Sequence, residues 1–202
     1  MYVPVGLGDT NWTIKWWGYL PRLFQLTMVQ IASATQSISF GLSGGGAFNV
    51  MGSGINVAGL GNPPTNNWCY FGAQNNGGAI TYWMSPQYPQ YGNFVIATAQ
   101  SSLTSPMGNV QLTIGAKSTT DYYLQGSLSS IRLTGSAVYP NLNGPDITNL
   151  SDYPLPSVSG TVVNFAGSPI KNTVFPTQTA TQWGAGITTT RMTVAQGTYV
   201  PL

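Results

Sequence analysis

The sequence predicts an all-β chain, a two-sheet antiparallel jelly-roll sandwich carrying an extended C-terminal arm. Three observations carry that expectation. Short runs that alternate apolar and polar residues recur from Asn11 to Thr134, which is the period of strands with one buried face. Turn residues separate the runs, among 25 Gly and 14 Pro in 202 residues. No helical pattern extends beyond a few turns, and many short strands with turns between them make a sandwich or barrel. At 42% hydrophobic residues the chain is too apolar for disorder.

Asn11 to Tyr19 reads as the first strand, with Trp12, Ile14 and Trp16 on one face and Thr13, Lys15 and Trp17 on the other. Leu23 to Ile31 follows, with Leu26, Met28 and Gln30 facing one way and Thr27, Val29 and Ile31 the other. A helix over Leu20 to Ile31, with Pro21 in its first turn, competes there, but the β-branched residues favour a strand. Ser37 to Leu42 and Phe48 to Val57 flank the triple glycine Gly44-Gly45-Gly46, which predicts a hairpin. Gly61-Asn62-Pro63-Pro64 marks a loop, because proline supplies no ladder donor.

Asn75-Asn76-Gly77-Gly78 is the strongest hairpin signal and joins Trp68–Gln74 to Ala79–Met84, since type I′ turns need positive φ at both central positions. Ser85 to Asn93 is an aromatic loop, followed by strands at Phe94–Ala99, Val110–Ala116, Tyr122–Leu124 and Ser127–Thr134. In the last of these, Leu128, Ile131 and Leu133 can share one face only if an irregularity shifts the phase between Leu128 and Ile131.

Charged residues make up 5% of the chain, against about 25% in ordinary proteins. Little charge means little repulsion between copies, which suits a subunit whose surface is covered in an assembly. The six cations, Lys15, Arg22, Lys117, Arg132, Lys171 and Arg191, form no basic run, so a phosphate-binding patch for nucleic acid is not expected. Cys69 is the single cysteine, which excludes an intrachain disulfide, and its apolar neighbours predict a buried, inert thiol. Met1 to Val5 has no signal-peptide character, and Leu20 to Ala32 is too short and too polar to span a bilayer. Synthesis in a cytoplasm with no membrane span is the expectation.

Several stretches resemble the laminin-G-like domains of the concanavalin A-like lectin/glucanase superfamily. Val110-Gln111-Leu112-Thr113-Ile114-Gly115-Ala116, the run Tyr122 to Thr134 opened by Gly126, and Ala137-Val138-Tyr139-Pro140 resemble that family's closing signature. Upstream, Trp12-Thr13-Ile14-Lys15-Trp16-Trp17 is similar to its early strand, and Trp68-Cys69-Tyr70-Phe71 with Ile80-Thr81-Tyr82 to its tryptophan hairpin. The resemblance spans residues 10–142 and implies the superfamily's sandwich over 1–142, with 143–202 as a Pro- and Thr-rich arm. It departs where the family often has an aspartate pair, here Ser129-Ser130, and where it has a histidine, here Tyr70.

Those departures bear on chemistry. Glycoside hydrolysis needs two carboxylates across one bond. The chain has no Glu, and its acids are Asp9, Asp121, Asp146 and Asp152, none in an acid-x-acid pair. With no histidine there is no Ser-His or Cys-His pair either, so no enzyme is expected. Asp121, or Asp146 with Asp152, supplies too few ligands for more than a weak Ca²⁺ site, and neither metal nor cofactor is expected.

The aromatic loop is the candidate site. Trp83, Tyr88 and Tyr91 could stack on sugar rings while Gln87 and Asn93 hydrogen-bond their rims. The competing reading packs Trp83 in the core and docks the Pro-Tyr loop on a neighbouring subunit. In the arm, Gly160–Phe165 and Ile187–Val194 read as short strands, able to add to a neighbour's sheet edge or to wrap their own domain. The function expected is a non-enzymatic virion subunit of a bacteriophage, a capsid decoration or a fibre or tail component. Its partners are other copies and other virion proteins, with neutral polysaccharide as a further ligand. The alternative is a secreted or cell-surface carbohydrate-binding lectin.

Overall fold

The computed structural model describes residues 2–7, 10–56, 59–85, 95–115, 124–135 and 161–165. These form β1 (Tyr2–Leu7), β2 (Trp12–Tyr19), β3 (Leu26–Ala32), β4 (Ser37–Leu42), β5 (Phe48–Gly52), β6 (Ile55–Asn56), β7 (Trp68–Asn76), β8 (Ala79–Ser85), β9 (Val95–Gln100), β10 (Gly108–Ile114), β11 (Ser127–Thr134) and β12 (Thr161–Phe165). No helix occurs among the described residues, hence none long and apolar enough to cross a membrane. Two six-stranded antiparallel sheets result, the first ordered β1-β10-β3-β4-β5-β6 and the second β12-β11-β2-β7-β8-β9. Strands distant in sequence sit side by side in both, as a jelly roll requires.

The inner faces meet in one apolar core. Trp12, Ile14 and Trp16 of β2, Cys69, Phe71 and Ala73 of β7, and Ile80, Tyr82 and Met84 of β8 supply the second sheet's share. Leu26, Val29 and Ile31 of β3 and Ile38, Phe40 and Leu42 of β4 supply the first's. At its centre Trp16 stacks on Phe71, ring centroids 5.8 Å apart at 15°, and Phe48 from the opposite sheet lies 4.8 Å from Phe71. Each such side chain contributes about 1.5–3 kcal/mol on burial, and the ring geometry adds to it.

Two irregularities let the pattern close. β11 slips against β2 between Ser129 and Arg132, the shift in phase that the spacing of Leu128, Ile131 and Leu133 demanded. β3 slips against β4 between Thr27 and Val29. Simple alternation over β3 is thereby corrected: Leu26, Met28, Val29 and Ile31 are all in the core, while Thr27 and Gln30 stand in register with outward-facing Gly41 and Ser39.

The hairpin between β7 and β8 turns on Gly77 and Gly78, with φ of 59° and 98°. Asn75 and Asn76 therefore remain in the strand, and Asn75 Nδ2 donates to the backbone oxygens of Thr10 and Leu103. The strand expected over Phe48–Val57 is broken into β5 and β6, because Gly52, Ser53 and Gly54 all have positive φ. β1 is an addition, paired with β10 along its whole length. Of the strand expected at Tyr122–Leu124 only Leu124 is described, and it is not in a strand. Within the arm, β12 pairs with β11 of its own chain, while Ile187–Val194 lies outside the described residues.

Candidate functional site

Alternation along β2, β7, β8 and β11 sends every second side chain away from the core, and the registers align these into rows. One row runs Arg132, Lys15, Gly72, Trp83 and Ile96 across five strands. Beside it Thr134, Thr13, Gln74, Thr81 and Thr98 form a row of hydroxyls and an amide. On the other side Trp17, Tyr70 and Ser85 align, and beyond them Tyr19 and Trp68. Trp17 and Tyr70 have ring centroids 5.2 Å apart, and Tyr19 and Trp68 5.7 Å apart.

This outward face is not a solvated one. Lys15 and Arg132 are each 1% exposed, and Thr13, Trp17, Tyr70, Gln74, Ser85 and Thr134 are buried as well. The two cations are Cα partners on adjacent strands, and both residues make further interactions. All four acids of the chain lie outside the described residues. Gln74 Oε1, Trp83 Nε1 and Ser85 Oγ are buried with no hydrogen-bond partner among the described residues. Such atoms are costly to leave unpaired, and here three fall on one face of one hairpin.

Trp83 must be corrected as a sugar-stacking residue, since it is 0% exposed. It belongs to the outward face and not to the inter-sheet core, because its register partner Gly72 leaves a slot into which the indole folds. A Cβ on Gly72 would collide with that ring. Gln87, Tyr88, Tyr91 and Asn93 lie outside the described residues. The structure therefore brings Trp83 together with Lys15, Trp17, Tyr70, Gln74 and Arg132, none of which the sequence had singled out as a site. Their alternation with core residues was visible in the sequence. Their adjacency depends on which strands pair.

The first sheet's outward face differs in chemistry. Thr27, Gln30, Ser39, Asn49 and Thr113 are all buried or nearly so, and none is charged. Neither face shows an acid–base pair, and no group of three or more metal-ligating side chains occurs among the described residues. Burial pushes the Cys69 thiol far above its ordinary range, partly offset by its hydrogen bond to Ser85. Sγ donates to the Ser85 carbonyl at 2.9 Å. As a buried thiol it is a poor nucleophile.

No family model matches the chain, and no curated protein matches it in sequence. Solved structures do. A domain of the bacteriophage CBA120 tailspike protein 2, described as its enzymatically active domain, is 7% identical with a TM-score of 0.56, over 80% of this chain and 27% of that one. Domains LG4-5 of the mouse laminin α1 chain are 14% identical with a TM-score of 0.48, over 83% and 46%. Domain 4 of a Geobacillus stearothermophilus extracellular arabinanase, solved with arabinotriose, is 13% identical with a TM-score of 0.48, over 73% and 69%. At these identities the likeness shows the fold alone: a concanavalin A-like jelly-roll sandwich. The chain spans about a quarter of the tailspike domain it matches.

Proposed function

We propose that this chain is a non-enzymatic structural subunit of a virion, a capsid decoration or a fibre or tail component, that works by assembly. The observation that carries the reading is a sandwich resembling part of a phage tailspike domain in a chain with 5% charged residues, no Glu and no His. A surface this poor in charge tolerates close packing of like copies.

The test is labelling of particles from the source culture with antibody to the chain, viewed by electron microscopy. Decorated particles are expected. Undecorated particles, with the chain recovered free in the medium, would favour the secreted lectin instead. Release of reducing ends from any polysaccharide by the pure protein would overturn the non-enzymatic part.

A contact with neutral host glycans fits alongside this role. β8 ends at Ser85 and β9 begins at Val95, so the sequence bearing Tyr88 and Tyr91 connects these two neighbouring strand ends of the second sheet. With Trp83 withdrawn into the fold, stacking falls to those two tyrosines. Glycan-array binding that disappears in Tyr88→Ala and Tyr91→Ala is the expected result.

A further inference from the structure

The edges of the two sheets are not alike. An edge strand leaves alternate backbone N–H and C=O groups without a ladder partner, and proteins blunt such edges with proline, charge, bulges, brevity or a cover. β1 carries Pro4. β6 is two residues long. β12 approaches β1, the edge of the other sheet. Among the described residues β9 has none of these protections: it is six residues, Val-Ile-Ala-Thr-Ala-Gln, with no charge and no proline, and its register with β8 is unbroken. Val95 and Ile96, at 37% and 39%, are the exposed large hydrophobics among the described residues.

The hairpin turn decides which β9 residues face outward along the edge. A two-residue turn at Gly77-Gly78 makes Asn76 and Ala79 a hydrogen-bonded pair. By alternation Thr81 and Trp83 bond towards β7, so Ile80, Tyr82 and Met84 bond towards β9, opposite Ala99, Ala97 and Val95. The bond from the Ser101 amide to the Gly78 carbonyl, 2.8 Å, continues the same phase. Ile96, Thr98 and Gln100 are therefore the residues whose backbone groups point to the open edge.

We infer that β9 pairs with β9 of a second copy, antiparallel and about a two-fold axis, fusing the two second sheets into one. Opposed residues in an antiparallel ladder share a face, and Thr98 opposite Thr98 with Ile96 opposite Gln100 satisfies that condition. The edge-facing backbone groups of all three residues then bond one another. The small Ala97 and Ala99 oppose each other on the core side. A two-fold pairing needs a self-complementary edge, and an uncharged strand in a chain of net charge +2 brings no repulsion to it. The inference holds whether or not the virion role does.

The experiment is sedimentation of the full chain beside two variants. Wild type is expected at twice 21.4 kDa. Thr98→Lys, which sets two ammonium groups across the axis, is expected at the single-chain mass with unchanged circular dichroism. Thr98→Cys is expected to oxidise to a covalent dimer, since paired residues across a ladder lie within disulfide reach. Cys69 is buried, and Thr81→Cys, one strand inward on the same row, is the control that stays single. Wild type at single-chain mass at the highest concentration reached overturns the inference. So does a Thr98→Cys chain that crosslinks no faster than the control, and that measurement decides alone if the lysine variant fails to fold.

Discussion

The two faces of the second sheet come from the same strands, residue by residue in alternation, and both are closed to solvent by different means. Inward, Trp16, Phe71 and Tyr82 meet Phe40 and Phe48 of the first sheet. Apolar area leaving water accounts for most of that face, although Trp12 Nε1 and Trp16 Nε1 are buried there with no hydrogen-bond partner among the described residues. Outward, Lys15, Arg132, Gln74, Trp83 and Ser85 are as buried, yet no described strand packs across them. Burial alone thus does not mark a core. Both faces keep buried polar atoms with no hydrogen-bond partner among the described residues, the two indole nitrogens inward and Gln74 Oε1, Trp83 Nε1 and Ser85 Oγ outward, a cost that burial must offset. Among the described residues, however, the outer face alone also buries two cations, Lys15 and Arg132.

The largest test of this contrast is removal of neighbouring rings on opposite faces. Trp16→Ala empties the centre of the core and is expected to cost about 3–5 kcal/mol in denaturant unfolding. Trp17→Ala, one residue on and facing outward, is expected to cost clearly less. Equal losses would mean that the outer face is a second core.

Alkaline pH probes the inner face next. Burial raises the Cys69 thiol and, less strongly, the Tyr82 phenol. The folded state then holds protons that the unfolded chain releases, so stability is complete below the ordinary thiol range and falls as pH rises through it. The slope is at most about 1.4 kcal/mol per pH unit for each group. Thermal unfolding followed from pH 8 upward should show the decline starting later in Cys69→Ala, where only the phenol remains. An unchanged onset would remove the thiol from the account.

On the outer face, Gly72→Ala drives a methyl into the Trp83 indole and is expected to cost about 1–3 kcal/mol through overpacking. In the Trp83→Ala background the same change should cost much less, because the two positions share one space. Additive losses would show that the indole does not occupy the slot.

Much of the fold was legible in the sequence wherever alternation and turn chemistry agreed. β4 and β11 fall where the sequence put them, and the slip in β11 followed from the spacing of three apolar residues. β1 escaped because Pro4 and Gly6 interrupt its pattern and its partner β10 lies about half the chain away. The outer face escaped for a different reason. Residues 132, 15 and 72 meet only through the register of β11, β2 and β7, which are not consecutive, whereas 72, 83 and 96 lie on the consecutive strands β7, β8 and β9. Alternation tells which way a side chain points and not what stands beside it. Trp83 as a stacking platform rested on the assumption that outward means exposed, and a missing Cβ at Gly72 undid it.

The smallest effect lies where the outer face runs out into solvent. Thr81 and Thr98 are cross-strand partners whose hydroxyls approach to 3.1 Å at an exposed position. Valine keeps the shape and the β preference of threonine but removes the hydroxyl, so Thr81→Val and Thr98→Val should each alter stability little. What the pair contributes is the coupling in a double-mutant cycle, expected at about 0.2–1 kcal/mol for a cross-strand contact. A coupling well above that range would mean that water is excluded from this end of the row as it is from Gln74, the buried next member. The boundary between the open edge at β9 and the closed face would then lie farther out than the exposure of Ile96 places it.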